Sequence, residues 1–157
     1  MSKVTIKEQC EHAWKMINSG DMIGAEVVAL EMLSDLGDNP AKNDDLFLIY
    51  NVLAFSYIYR GMTKDAVEYT CIMSEIADFL QNPSYQFKSN NILCLLHQEM
   101  SLIDKALEYG NKAYNLATES KNKQNLSTIT GNLGLIYSTA SNDQLALTYL
   151  FEAERTA

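Results

Sequence analysis

Cys94 and His97 are the two side chains whose types and spacing come closest to a chemical site. They lie three residues apart in "CLLH", so a helix would place the thiol and the imidazole one turn apart. With Cys10 and His12 the pair could supply the four ligands of a zinc site, and alone it could act as a nucleophile and its base. However, no residue nearby marks an oxyanion site, and Glu99 would point to another side of the helix. A buried thiol and a hydrogen-bonded histidine therefore explain the pair better.

Two other patterns also lack the partners that their chemistry needs. The sequence "GNLG" at 131–134 lies inside a helical pattern and lacks the strand and the lysine of a phosphate-binding loop. The acidic residues around Asp35 and Asp45 fall at predicted helix ends, where capping explains them, and a calcium loop would need a longer alternating run. We therefore predict no catalytic residue, no metal and no cofactor, and we do not expect an enzyme.

The composition is that of a folded protein of one ordinary domain. The chain has 157 residues, of which 47% are hydrophobic and 20% charged. Twelve basic and twenty acidic residues give a net charge of −8, so nucleic acids and anionic membrane surfaces are not expected as partners. The three cysteines are an odd number, which favours reduced thiols over a disulfide framework. The N-terminus resembles no signal peptide and no run has membrane-spanning length, so we expect a cytoplasmic protein.

The elements that carry these residues are helices arranged in pairs. The apolar segment "FLIYNVLAFSYIYRG" is followed by "TKDAVEYTCIMSEIADFL", whose apolar residues recur every three or four positions. Between them, "RGMTKD" supplies a helix stop and a helix start, so the two segments form a hairpin. The complete prediction is eight helices, at 4–18, 22–36, 44–60, 64–81, 85–100, 103–120, 124–140 and 143–156.

The hairpin recurs at an interval of 40 residues. Ala66, Ala106 and Ala146 are separated by this interval (106 − 66 and 146 − 106). Three further sets keep it: Leu53, Leu93 and Leu133; Ala54, Cys94 and Gly134; and Tyr69, Tyr109 and Tyr149. Small residues let two helices approach closely, and the tyrosine rings can fill the gap between neighbouring hairpins. Since each hairpin needs its neighbours to bury its apolar face, the pattern predicts a stacked array.

These residues resemble the tetratricopeptide repeat. The match is best in "NLGLIY" with Ala146 and Ala153, and next best in "VLAFSY" with Ala66. The third copy departs from the pattern at Cys94 and His97, and the first copy keeps chiefly Ala13, Gly20 and Ala25. The usual period is about 34 residues, so the interval of 40 resembles the longer-helix subclass of kinesin light chains and bacterial peptide-sensing regulators.

The resemblance implies an all-α fold, a right-handed α-solenoid of about four hairpins. We expect one domain over 1–157, with repeats at about 4–40, 44–82, 84–121 and 123–157, and we expect it to be the N-terminal part of a longer protein. The last predicted helix offers an apolar edge to a next domain or to a second copy in a homodimer, through four residues: Leu145, Tyr149, Leu150 and Phe151.

The resemblance also implies that the first helix of each hairpin lines a concave groove. Stepping by 40 along the repeat gives one row of large apolar residues and, one turn away, two asparagines. The row is Trp14, Phe55, Leu95 and Leu135, and the asparagines are Asn51 and Asn91. This surface could hold a peptide, although the row could equally be core and the asparagines could pair with each other.

The function that follows from the resemblance is a scaffold that binds a protein or peptide and has no catalysis of its own. The alternative is a regulatory sensor domain of a longer bacterial signalling protein. In that case a signal peptide, or an output domain of the same chain such as a cyclic-dinucleotide synthase, would occupy the groove.

Overall fold

The fold is all-α over the residues that the computed structural model describes, which are 3–140 and 142–156. Eight helices follow one another within these ranges, and no strand occurs among them. The helices are α1 Ile6–Asn18, α2 Met22–Leu36, α3 Asp44–Ile58, α4 Thr63–Leu80, α5 Pro83–Glu99, α6 Ile103–Glu119, α7 Lys123–Thr139 and α8 Asp143–Thr156. Each predicted helix is present, and the all-α prediction is confirmed.

The chain divides into two compact units, each built from two helical hairpins. Unit 1 spans Met1–Leu80 and contains α1 to α4, whereas unit 2 spans Gln81–Ala157 and contains α5 to α8. Consecutive helices pack as antiparallel neighbours within each hairpin. The expectation that the chain behaves as one domain stays a prediction.

Side-chain caps fix where several of the helices begin. The backbone N–H of Glu8 donates to Thr5 Oγ1 at 3.1 Å, so α1 begins at Ile6 rather than at the predicted residue 4. The Asn82 side chain caps α5 and Pro83 occupies the first turn, which starts this helix two residues earlier than predicted. The other boundaries differ from the prediction by at most two residues.

The core of unit 1 lies where α1, α2 and α3 meet. Small residues line α1 and α2 at the contact, and β-branched and leucine side chains of α3 fill the remaining space. The buried members of this core include Ala13, Ala25, Ala29, Ile49, Val52 and Leu53. A polar cluster joins α2 to α3: the Tyr57 hydroxyl donates to Glu26 Oε1 at 2.5 Å, and Arg60 Nη2 lies 2.7 Å from Glu26 Oε2.

The core of unit 2 depends on close helix contacts at glycines. A methyl group added to Gly134 in α7 would lie 2.7 Å from Leu150 Cγ in α8, so only a hydrogen atom fits there. The Tyr149 ring of α8 stacks on Tyr137 at 5.4 Å and meets the edge of the Tyr114 ring at 5.9 Å. Tyr149 therefore fills the space between the two hairpins of this unit, as the repeat predicts.

Candidate functional site

The first-helix face of unit 1 carries three aromatic rings. Trp14 of α1 lies 5.2 Å from Phe55 of α3 between ring centroids, and Phe55 lies 5.9 Å from Tyr59. Trp14 and Phe55 are half-buried against the unit's core, whereas Tyr59 is exposed. Tyr59 is not among the site residues predicted from the sequence, although its place four residues after Phe55 puts it on the same side of the helix.

Asn51 lies one turn before Phe55 on α3 and is buried, with 3% of its surface exposed. Its Oδ1 atom has no hydrogen-bond partner among the residues that the structure describes. A buried acceptor without a partner costs about 1–3 kcal/mol, so this amide would gain from a donor. On α1, Cys10 is buried one turn before Trp14, and burial, followed by the charge of Asp45, raises the pKa of its thiol to about 11.

The first-helix face of unit 2 joins a pair of asparagines to two exposed leucines. Asn132 Nδ2 of α7 donates to Asn91 Oδ1 of α5 at 2.8 Å. Three or four residues further along the same helices, Leu95 is 39% exposed and Leu135 is 56% exposed. These two members of the predicted row therefore lie on the surface of unit 2 rather than in its core.

Asn132 is the residue of this face that the sequence analysis missed. Stepping by 40 from Asn91 reaches Gly131, whereas the bond joins positions 41 apart (132 − 91). A polar residue inside the apolar "GNLGLIY" segment was the available signal. In the folded chain Asn132, and not Gly131, contacts Asn91 of the neighbouring helix. A fixed interval of 40 residues could not identify it.

Cys94 and His97 both take part in packing. Cys94 is fully buried, burial raises the pKa of its thiol to about 11, and a methyl group on Gly110 would lie 3.1 Å from its Sγ atom. His97 Nδ1 donates to the Leu93 carbonyl at 2.7 Å, and the ring lies 5.0 Å from the Tyr109 ring. Within the described part of the chain, no group of three or more His, Cys, Asp or Glu side chains could hold a metal ion.

The predicted edge on α8 is largely exposed. Leu145, Leu150 and Phe151 are exposed, whereas Tyr149 packs into the ring cluster of unit 2. Leu147, which the sequence analysis omitted, is also exposed. Among the helices of the described residues, none combines the length and the apolar character that crossing a bilayer requires.

Four helical hairpins with small residues at the helix contacts and tyrosines between hairpins define a tetratricopeptide-like repeat fold of the α-solenoid class. No protein-family model and no curated protein matches the chain. Among solved structures it is similar to BtubC (BKLC) from P. vanneervenii, with a TM-score of 0.82 and 19% identity over 94% of this chain and 60% of that one.

Two further solved structures show the same fold. The chain is similar to a putative kinesin light chain of Podosopora anserina with nearly identical TPR-like repeats, with a TM-score of 0.81 and 15% identity over 94% of this chain and 72% of that one. It is also similar to MamA MSR-1, with a TM-score of 0.68 and 15% identity over 98% and 77% of the two chains. These likenesses confirm the tetratricopeptide-like fold that the repeat pattern predicts.

Proposed function

We propose that this chain is an interaction scaffold without catalysis of its own, which binds a peptide segment of another protein along its first-helix faces. The observation that carries the proposal is the pair of exposed leucines, Leu95 and Leu135, beside the bond between Asn91 and Asn132. The tetratricopeptide-like fold of the solved neighbours supports the same class of function.

The chemistry of the unit 2 face suits a peptide backbone flanked by apolar side chains. The bond between the asparagines uses one donor of Asn132 and one lone pair of Asn91, so each amide keeps further capacity. These amides can meet the N–H and C=O groups of a bound segment, while Leu95 and Leu135 supply apolar area.

The unit 1 face offers the same combination with larger rings. Trp14 and Phe55 are held in place by the core behind them, so little side-chain freedom is lost when a ligand covers them. Tyr59 adds an exposed ring, and Asn51 adds an acceptor without a partner among the described residues. We include all six predicted residues, Trp14, Asn51, Phe55, Asn91, Leu95 and Leu135, in the proposed site.

The test uses a library of random peptides displayed on phage and selected on the wild-type protein. The double variant Leu95→Asp/Leu135→Asp should bind a selected peptide at least about tenfold more weakly, because two apolar contacts are lost. Since both leucines are exposed, the helical circular dichroism signal should stay unchanged. The measurement is a titration of the labelled peptide followed by fluorescence anisotropy.

The matched control is Leu102→Asp, an identical change at another exposed leucine of unit 2. Leu102 precedes α6 without capping it, and its backbone (φ −91, ψ 72) matches that of Asp21 (φ −95, ψ 70), whose side chain does cap α2. An aspartate at 102 should therefore preserve the fold. The proposal fails if no peptide is enriched, or if the double variant and the control bind the selected peptide equally.

A regulatory sensor domain of a longer bacterial signalling protein is the second candidate function. The observation that favours it is the exposed apolar surface of α8, formed by Leu145, Leu147, Leu150 and Phe151. A further domain, such as a cyclic-dinucleotide synthase, or a second copy of this chain would cover that surface. In this candidate the first-helix faces would respond to a signal peptide or to that output domain.

A further inference from the structure

Helix α2 has two apolar faces on opposite sides. One face, formed by Ala25, Ala29 and Met32, is buried in the core of unit 1. The other face consists of Ile23, Val27 and Leu30, which are 64%, 48% and 42% exposed. Their spacing of four and three residues places them in one row along the helix, here called the α2 stripe.

The corresponding positions of α6 in unit 2 are polar. Ala25 of α2 and Ala106 of α6 hold equivalent buried places in their hairpins, so the two helices can be compared position by position. The residues of α6 that correspond to the α2 stripe are Asp104, Glu108 and Asn111, all of them exposed. A hairpin of this fold therefore forms without apolar residues on this face.

The α2 stripe adds less to the stability of unit 1 than a buried row would, because its three residues leave between 42% and 64% of their surface exposed to solvent. Glutamate or lysine at these positions would keep the helix equally well. Helices that pack against another helix carry apolar side chains at this three- and four-residue spacing on the contacting face. The row is therefore suited to a contact outside the described residues of unit 1.

The charges beside the α2 stripe define the chemistry of that contact. Glu31 and Asp35 are exposed along one edge of the row, and α2 contains no lysine or arginine. Along the other edge Glu26 is already neutralised by Arg60, whose Nη2 atom lies 2.7 Å from its Oε2 atom. The uncompensated charge is therefore acidic and lies on one side, so it favours a partner with a basic edge.

We propose that the α2 stripe docks one amphipathic helix of another protein, with apolar residues every three or four positions and Lys or Arg facing Glu31 and Asp35. A second copy of the chain fits less well, because α2 contains no lysine or arginine, so the α2 helix of a second copy would offer Glu31 and Asp35 no basic partner. Three partly exposed side chains also fall short of the roughly 800 Å² per partner of a standard interface between folded proteins.

The experiment uses three synthetic helical peptides as probes. The first has leucines at three and four residue spacing with lysines beside them, the second replaces these lysines with glutamates, and the third is a scrambled form of the first. The wild-type protein should bind the first peptide at least about tenfold more tightly than either of the others, which is about 1.4 kcal/mol. The readout is fluorescence anisotropy of the labelled peptides.

Two variants separate apolar docking from charge attraction. Leu30→Glu removes one member of the α2 stripe, whereas Asn111→Glu adds the same charge at the equivalent exposed position of α6. If charge attraction alone drove binding, both variants would bind the lysine peptide more tightly than the wild type does. If the peptide docks on the α2 stripe, Leu30→Glu should bind it about five to twentyfold more weakly than the wild type does. Val27→Glu should give the same loss and serves as the second variant.

The proposal is overturned if Leu30→Glu and Asn111→Glu bind the lysine peptide equally, or if the scrambled peptide binds the wild-type protein as tightly. It is also overturned if sedimentation shows a wild-type dimer that Leu30→Glu dissociates, since the occupant would then be a second copy. The Leu95→Asp/Leu135→Asp variant should bind the lysine peptide as the wild type does. That result would mean that the lysine peptide does not bind through the two leucines of the first-helix face in unit 2.

Discussion

Cys94 and His97 illustrate how the same residue types serve packing or chemistry according to their surroundings. The Cys94 thiol is enclosed beside Gly110, and burial raises its pKa from 9.0 to about 11. The imidazole of His97 uses Nδ1 to donate to a carbonyl of its own helix, at Leu93. A nucleophile needs the opposite conditions, namely an accessible sulfur and a lowered pKa.

We predict that Cys94 reacts slowly with N-ethylmaleimide in the folded protein. At about pH 8 the rise in its pKa leaves roughly a hundredth of the thiolate that an unperturbed cysteine would have, and burial slows attack further. Pulse labelling followed by peptide mapping should show alkylation at least about a hundredfold slower than in urea. Equal alkylation rates in the folded and the unfolded chain would mean that the thiol is accessible to solvent. Cys94 and His97 would then again be candidates for a nucleophile and its base.

The same shift in pKa has a consequence for stability. Because folding raises the pKa of Cys94 from 9.0 to about 11, the unfolded chain loses this proton first as the pH rises. The free energy of unfolding is therefore expected to fall between pH 9.0 and about 11 and to be unaffected by this group below that range. Cys10, whose thiol pKa is also raised to about 11, contributes with the same sign.

Helix α7 contains two glycines with different surroundings. A methyl group on Gly134 would lie 2.7 Å from Leu150 Cγ and 3.2 Å from the Leu150 backbone nitrogen, so α8 would have to move. A methyl group on Gly131 would meet nothing closer than Ala153 Cβ at 3.9 Å. The first glycine is required by the contact between helices, whereas the second is not.

We predict opposite effects for two identical substitutions in this helix. Gly131→Ala should stabilise the protein by up to about 1 kcal/mol, because alanine has the higher helix propensity and fits the space. Gly134→Ala should destabilise it by about 1–3 kcal/mol, because overpacking against α8 outweighs the same gain in propensity. Urea unfolding followed by circular dichroism measures the free energy of unfolding of each variant. Equal destabilisation by the two substitutions would contradict the proposed difference in packing.

The described helices leave apolar surface that each unit does not cover by itself. In unit 2 this surface lies on α8, where Phe151 is 64% exposed beside Leu147 and Leu150. We propose that a second copy of the chain can pair through this edge, which would remove apolar area from water on both partners.

We predict that the wild-type protein dimerises with increasing concentration and that Phe151→Asp shifts it to monomer. A charge buried in the pairing surface would be strongly unfavourable, so the dissociation constant should rise at least about a hundredfold. The matched control is Phe79→Asp in α4, because Phe79 is also 64% exposed. Sedimentation velocity measures the change. A wild-type monomer at every concentration, or equal effects of the two variants, would argue against a dimer through α8.

The helices and their pairing into hairpins can be predicted from residues that are close together in the chain. Apolar spacing and the 40-residue interval predict all eight helices, and boundaries moved by at most two residues because caps such as Thr5 and Asn82 act locally. Local propensity and local hydrogen bonds depend on neighbours along the chain, so a sequence displays them directly. The same periodicity placed Leu95 and Leu135 in one row.

The contacts between these residues, and the exposure of the others, depend on how the helices pack in three dimensions. Asn91 pairs with Asn132, Glu26 with Arg60, and the α2 stripe stays open although its composition resembles a core. Each of these outcomes depends on how far two helices are rotated and shifted against each other. That geometry is set by the sum of many side-chain contacts, and no interval within a single sequence encodes it.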